Sequence, residues 1–354
     1  MKQTIIHSLI LAGRQAPSAD NSQPWRFRHV DNRITVEYDT ERLAGLTFGA
    51  NEPATLLSLG CVLENMLQAA DFIGVEVGWY LEDELSIGNA VLHLTIPLDC
   101  VHNEYETELT FSGHPLFDRH TNRFPYRSTL IPVSIMPDIN QFREGTARIK
   151  LLDTPKEIKA VAALARQASE VRFQTQEVHE WLAHSLRFTR QEAAKGDGLD
   201  IATIPLPPGG ALFMRYIMDW KWMSRLNRLG AYKLMAALDV KPIEQAPIII
   251  AFIGGSARED IINVGQLLTR VWIDLNSKGI AVHPYYVVSD QLQRLLVGKV
   301  PAQLVSQIDK VAAQSTALLD LQEHECLHML LRVGYPTRDP IRSKRLPLEA
   351  ICNM

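Results

Sequence analysis

Ala16-Pro17-Ser18-Ala19-Asp20-Asn21-Ser22-Gln23-Pro24-Trp25 crowds two prolines, four short polar turn formers, an amide and one large aromatic into ten residues. Proline presets a turn, and Asx residues tolerate the left-handed backbone that turns require. On the N-terminal side, Ile5, Ile6, Leu9 and Ile10 recur at helical spacing until Pro17 interrupts them. On the C-terminal side, residues 25–30 and 33–38 alternate about Asp31-Asn32, which predicts a hairpin. A polar loop between a helix and a sheet can aim side-chain donors at a ligand. Composition alone leaves a plain structured turn and a binding loop both open.

Working outward, 354 residues with 46% hydrophobic content can bury a large core and fill two domains or two halves of one body. The charge of −4, from 36 basic against 40 acidic residues, argues against a face that funnels nucleic acid. Cys61, Cys100, Cys326 and Cys352 are scattered without a CxxC pair, which fits reduced thiols inside a cell. The start, Met1-Lys2-Gln3, lacks a sustained apolar signal core, and the longest apolar run, 246–253, is far too short to span a bilayer. The expectation is a soluble cytoplasmic protein with neither a nucleic-acid nor a membrane partner.

Along the chain, 54–70 reads as a long apolar helix and 75–80 and 91–97 as strands, closing an α+β half before residue 119. The polar stretch 99–110 makes a link. Residues 148–152 predict a strand, and 156–194 predict two helices covering a core. Prolines and glycines from 196 to 210 mark an irregular segment before Phe213, Tyr216, Ile217, Trp220 and Met223, whose helical spacing fits core or interface packing or else a cover over a site. A buried strand over 246–253, a helix over 258–277 and a strand over 280–288 complete the reading.

His324-Glu325-Cys326-Leu327-His328 matches the HExxH zinc-hydrolase pattern, but it runs directly into Met329-Leu330-Leu331-Arg332-Val333, which reads as a buried strand. A strand would separate the two histidines, so no metal is expected there. Gly254-Gly255-Ser256 before a helix lacks both the Walker lysine and the spaced glycines of a dinucleotide fingerprint, and fits an ordinary strand-to-helix turn. Arg119-His120-Thr121-Asn122-Arg123 carries two guanidiniums and a hydroxyl in five residues, a combination able to grip phosphate or to form a solvated basic turn. A second basic patch, Arg338, Arg342, Lys344 and Arg345, follows near the end.

Together these residues carry a resemblance. Pro17-Ser18-x-x-Asn21-x-Gln23-Pro24-Trp25 resembles the PSxxNxQPW segment of the FMN-dependent nitroreductase family, and Arg119-x-Thr121-x-Arg123 is similar to its RxSxR phosphate segment. The helix from Gly265 to Lys278 before Gly279-Ile280, and the run from Leu331 to Pro336 with Arg345-Leu346-Pro347 after it, resemble the family's late helix and closing strand and tail. The arginine segment follows the loop instead of preceding it, and Leu186-Arg187 stands before Gly196-Asp197-Gly198-Leu199; both features resemble the divergent Acg-type branch.

The resemblance implies an α+β fold of antiparallel sheets flanked by helices, in two fused halves that mimic a homodimer. The first, 1–118, carries the PSxxNxQPW loop; the second, 119–354, carries the RxTxR segment, a middle helical or lid segment and the arginine tail. It implies one FMN site shared between halves, with Arg119, Arg123, Arg342 and Arg345 at the phosphate, Thr121 beside them, and Ser18, Asn21 and Gln23 toward the ribityl chain or flavin ring. Trp25 would brace the loop. The implied activity passes a hydride from NADH or NADPH through flavin N5 to a small-molecule acceptor such as a nitroaromatic or quinone, with no protein catalytic residue needed. A monomeric pseudo-dimer or a homodimer would serve. Were the segment 196–224 to cover the flavin, FMN storage or sequestration would be the alternative.

Overall fold

Alternation over 25–38 becomes an antiparallel hairpin because one face leaves water. Trp25 and Phe27 on β1 (Trp25–Val30) and Ile34 and Val36 on β2 (Arg33–Tyr38) are buried, and Asp31, at φ 51°, makes the two-residue turn between them. The computed structural model describes residues 5–44, 48–83, 89–97, 113–132, 135 and 143–353. Before the hairpin lies α1 (Ile5–Arg14), which buries Leu9, Ile10 and Ala12. After it come α2 (Thr40–Leu43), α3 (Pro53–Phe72), β3 (Gly78–Leu81) and β4 (Ala90–Thr95). The stretch 99–110, expected as a link, lies outside the described residues, as does Cys100.

The remaining chain begins with β5 (Arg148–Leu152), α4 (Pro155–Arg172), α5 (Gln176–Ser185), β6 (Leu186–Arg187), α6 (Arg190–Ala193) and β7 (Leu199–Asp200). Then follow α7 (Gly210–Ile217), α8 (Trp220–Asn227), α9 (Ala231–Glu244), β8 (Ile248–Gly254) and α10 (Arg258–Ser277). The chain closes with β9 (Ala281–Tyr285), α11 (Val287–Leu296), α12 (Val305–Leu319), β10 (Cys326–Gly334) and β11 (Cys352–Asn353). Two larger sheets result, in the orders β11-β1-β2-β4-β3 and β5-β8-β10-β9. The second is antiparallel throughout; in the first, β11 alone runs parallel, against β1. The class is therefore α+β, antiparallel sheets flanked by helices, as the sequence leads one to expect.

All seven residues of β8 are buried because both faces of its sheet are covered. Ile248, Ile250 and Phe252 join the core that also holds α3, α10 and the first sheet, while Ile249, Ala251 and Ile253 pack with α4, α11 and α12. The first of these cores is continuous from Ile5 to Cys352, so both ends of the chain share it.

At its centre α3 and α10, twenty residues each, cross at Gly60 and Gly265. A Cβ on Gly60 would stand 2.9 Å from the Gly265 Cα and collide with the Ile262 carbonyl oxygen; one on Gly265 would stand 2.8 Å from the Gly60 Cα. Only residues without a Cβ allow this approach.

Some boundaries differ from the sequence expectation. The strand read over 280–288 ends at Tyr285, and Val287 already opens α11, since 287–296 has an apolar stripe of helical period that a short apolar run masks. The strand read over 75–80 begins at Gly78. The 324–328 motif is divided, with His324 in a turn and the strand starting at Cys326: His328 is buried with Nε2 2.9 Å from the Gly255 carbonyl, and Glu325 takes a bidentate ion pair from Arg148. Among the described residues no cluster of histidine, cysteine and acidic side chains suits a metal, and no helix is long and apolar enough to cross a membrane.

Candidate functional site

The loop at 16–25 is held in an unusual backbone. Asp20, Asn21 and Gln23 have φ of 45°, 61° and 50°, left-handed values that are uncommon outside glycine and cost most for Gln23. Surrounding hydrogen bonds over-determine it. The Gln23 amide N–H donates to Ser18 Oγ at 2.9 Å, and Asn21 Nδ2 lies 3.2, 3.2 and 3.0 Å from the carbonyls of Gly196, Gly198 and Lys344. Gln23 Nε2 donates to the Gly196 carbonyl at 2.8 Å, while its Oε1 accepts from the Leu346 N–H at 3.0 Å.

Three segments remote in sequence are thereby tied together: the loop, the 196–198 turn and the tail at 344–346. Arg14 adds a fourth tie through Nε to the Leu346 carbonyl at 2.6 Å. Gly196, at φ 90°, passes so close to the tail that a Cβ there would sit 2.7 Å from the Arg345 carbonyl carbon.

Beside this junction opens a cavity of about 1020 Å³. Leu57, Leu268, Trp272 and Met329 give it an apolar floor, and Ile204, Leu206, Phe213 and Met214 of the middle segment form one wall. Seven of the sequence-expected residues line it: Ser18, Asn21, Arg119, Thr121, Arg123, Arg342 and Arg345. Gln23 does not; it is fully buried, and both ends of its amide are committed to the junction. Trp25 is also fully buried and belongs to the first core.

The arginines divide into two groups. Arg119 and Arg345 converge on one atom, donating through Nη2 to the Gln15 carbonyl at 2.8 and 3.3 Å. Arg345 Nη1 also donates to Asn21 Oδ1 at 2.5 Å, and the Arg119 guanidinium lies 4.7 Å from the Trp272 ring centroid. Neither meets a carboxylate, and the Nε of each is buried without a hydrogen-bond partner among the described residues.

Burial therefore pushes Arg119 down to about 10, with Arg342 adding repulsion, and pushes Arg345 down to about 9, with Arg119 and Arg14 adding theirs. Both remain charged at neutral pH. Arg342 lies farther out, exposed, bonded to the Phe117 and Asp118 carbonyls and 3.5 Å from the Asp118 carboxylate.

Arg123 belongs to the other group. Its Nη1 lies 3.4 Å from Thr203 Oγ1, and its charged neighbour is Asp20, whose carboxyl is raised by burial against the pull of Arg123 and Arg172. Tyr285 and His283 stand with them. Burial drives the Tyr285 phenol up and holds His283 well below its ordinary value, so both stay neutral. Thr121, between the groups in sequence, lines the cavity, and its hydroxyl has no hydrogen-bond partner among the described residues.

Two cations whose buried Nε atoms lack partners and which have no carboxylate nearby are the complement of a phosphate, which supplies charge and several acceptors at once. The cavity matches a ligand of mononucleotide size, and its floor suits a flat apolar ring system. FMN fits the donor set on both counts. Sequence reasoning missed Gln15, Arg14, Trp272, Arg172 and His283. Gln15 acts through a carbonyl that no side-chain pattern reveals, Arg14 beside the loop shows its role only through its bond to the distant tail, and Trp272, Arg172 and His283 sit on elements far from either motif.

No family model matches the chain. The uncharacterized protein MT1398 of Mycobacterium tuberculosis (strain CDC 1551 / Oshkosh) is 23% identical over 278 residues, 77% of this chain and 37% of that protein, so this chain spans little more than a third of that relative's length. The probable NAD(P)H nitroreductase PigM of Serratia sp. (strain ATCC 39006) is 24% identical over 296 residues, 80% of each chain. Among solved structures, the FMN-dependent nitroreductase NfnB from Mycobacterium smegmatis, in complex with NADPH, is similar over 69% of this chain and 97% of its own, at 14% identity and a TM-score of 0.40.

Proposed function

We propose that the chain is an FMN-dependent NAD(P)H oxidoreductase of nitroreductase type, with one flavin site assembled from both ends of the sequence. The observation that carries this reading is the Arg119–Arg345 pair, one cation buried and one part-buried, without a carboxylate partner among the described residues, at the edge of a cavity of about 1020 Å³. The name of the Serratia relative supports it. Residues 1–118 and 119–354 act as the two fused halves, in keeping with the paired helices α3 and α10 that cross at Gly60 and Gly265.

Bound FMN supplies a ring nitrogen able to take up and release a hydride, which leaves the protein the tasks of binding and orientation. Arg119 and Arg345 hold the phosphate, and Thr121 offers it or the ribityl chain a free hydroxyl. Ser18 and Asn21 shape the loop against that chain, while Gln23 works from behind by fixing the Leu346 N–H and hence the tail that delivers Arg345. Arg123, beside Asp20, places a cation at the other end of the cavity. Tyr285, held protonated by burial, lines the cavity with its hydroxyl donated to the Asp239 carbonyl at 3.4 Å. Leu206, Phe213 and Met214 exclude water from the wall they form. The acceptor is a small electron-poor molecule, a nitroaromatic or a quinone.

Purified protein is expected to be yellow, to bleach under anaerobic NADH or NADPH, and to regain colour with a nitroaromatic or quinone. Protein that holds no flavin after reconstitution overturns the cofactor; protein that holds flavin but is reduced by neither nicotinamide overturns the oxidoreductase and leaves flavin storage.

A further inference from the structure

The middle helices leave an apolar surface uncovered. Leu212, Phe213 and Tyr216 on α7, Trp222 on α8, Leu229 in the following turn, and Leu234 and Leu238 on α9 are exposed by 37 to 86%. The same helices bury Met214, Ile217, Met223, Ala236, Val240 and Ile243, so each has an inner apolar side and a second, outer one. Tyr216 and Trp222 bring α7 and α8 together with ring centroids 5.0 Å apart, and Phe213 and Leu238 line the same large cavity. Soluble monomers rarely leave so many large apolar side chains together in water without a use.

Charge shows what covers this surface. Arg215, Lys221, Arg225, Arg228, Lys233 and Lys241 are all exposed among these residues, and none forms a salt bridge among the described residues. Against them stand three acids on the same helices, and Glu192 acts on Arg215 from outside them. Asp219 caps α8, Asp239 is tied to Arg172 and Ser169, and only Glu244 is exposed without such a role. A locally cationic patch thus sits on a chain of net charge −4. A second copy packed symmetrically on this face would set its cations against themselves. Apolar and aromatic residues interleaved with lysine and arginine instead match a bilayer interface, where the apolar side chains enter the acyl boundary and the cations meet anionic headgroups.

We infer that α7, α8 and α9 dock the protein onto an anionic lipid surface, lying on the bilayer without crossing it. The absence of a spanning helix among the described residues is compatible with this, since spanning and surface binding make different demands on sequence. Phe213 and Leu238 then set the cavity mouth at the lipid surface. This inference is independent of what the cavity holds.

The test is sedimentation of the full chain with vesicles of phosphatidylcholine containing phosphatidylglycerol, against pure phosphatidylcholine. Binding to the first only, weakened by salt, is expected. Arg225→Glu, Arg228→Glu and Lys233→Glu together should lower partitioning by at least about fivefold for each cation removed. Leu229→Ser with Leu234→Ser, exposed positions away from the cavity, should weaken it again while the denaturation midpoint stays that of the parent. No binding to the anionic vesicles overturns the inference, as does binding that neither variant changes. A dimer in sedimentation equilibrium that the leucine variant dissociates, with no vesicle binding, assigns the face to a second copy. Equal binding to a polyglutamate peptide that the leucine substitutions leave intact assigns it to an acidic protein; both outcomes overturn the lipid surface.

Discussion

Asn21 Oδ1 accepts a hydrogen bond from Arg345 Nη1 at 2.5 Å, joining residues 324 apart in sequence. An amide oxygen orients the guanidinium yet leaves its charge uncancelled, and that is the condition in which an arginine still attracts a phosphate. Asn21→Asp should therefore act as an internal counter-ion. Flavin affinity is expected to fall at least about tenfold, measured by fluorescence titration of apoprotein with FMN. The new carboxylate also faces the carbonyls of Gly196, Gly198 and Lys344, so the urea midpoint is measured alongside it. Undiminished FMN affinity would sink the role assigned to Arg345.

Removing the cations separates a ligand grip from a structural pair by sign. Arg119 and Arg345 repel each other, bury their Nε atoms unpaired and lack a carboxylate, so in apoprotein they cost stability. Arg119→Met or Arg345→Met should cut FMN affinity by about ten- to a hundredfold each, through loss of charge-assisted bonds. Apoprotein carrying either substitution should be as stable to urea as the parent or more so. A large loss of apoprotein stability with FMN affinity intact would make the pair structural.

Legibility in the sequence followed the range of the interaction that fixes each element. Local patterns were enough for the hairpin at 25–38, the helix at 258–277 and the strand that absorbs His328, because period and turn chemistry lie within a few residues. The parallel pairing of β11 with β1 was not legible, since two residues at 352–353 acquire their strand only from a partner near residue 27. At the site, residue types were informative and destinations were not. Arg119 and Arg123 look like one grip in sequence, whereas the fold brings Arg119 to the Gln15 carbonyl with Arg345 and Arg123 to the Thr203 hydroxyl. Gln23 looks like a ligand donor, yet a buried amide beside three converging backbones is absorbed in satisfying them. The helical spacing of Phe213, Tyr216 and Trp220 was visible; the second, outward apolar side of the same helices shows only once burial is known.

The crossing of α3 and α10 gives the most local stability test. Backbone atoms of Ile262 and Gly265 occupy the space that a Gly60 side chain would need, and two twenty-residue helices cannot part there without opening the core around them. Gly60→Ala is expected to cost about 1 to 3 kcal/mol in urea unfolding, although alanine raises helix propensity by itself. A variant as stable as the parent would mean that the helices cross elsewhere.

Histidines that burial lowers, His179, His328 and His283 among them, set the expected response to acid. His179 and His328 are each only 2% exposed, with Nε2 at 2.8 and 2.9 Å from the carbonyls of Ile217 and Gly255, so each ring keeps its proton on Nε2 and donates it. Burial lowers both from the ordinary value of 6.5. Above that value the ring is neutral in folded and unfolded chains alike, and pH has no leverage through it. Below it the unfolded chain binds a proton that the folded ring resists, so stability falls as pH falls, by at most about 1.4 kcal/mol per pH unit for each histidine. Urea unfolding between pH 8 and pH 5 is expected to show a plateau followed by this decline. His179→Gln, whose amide can donate to the Ile217 carbonyl without titrating, should flatten part of the decline while lowering the plateau. An acid slope identical in the variant and the parent would show that His179 binds its proton as readily in the folded as in the unfolded chain.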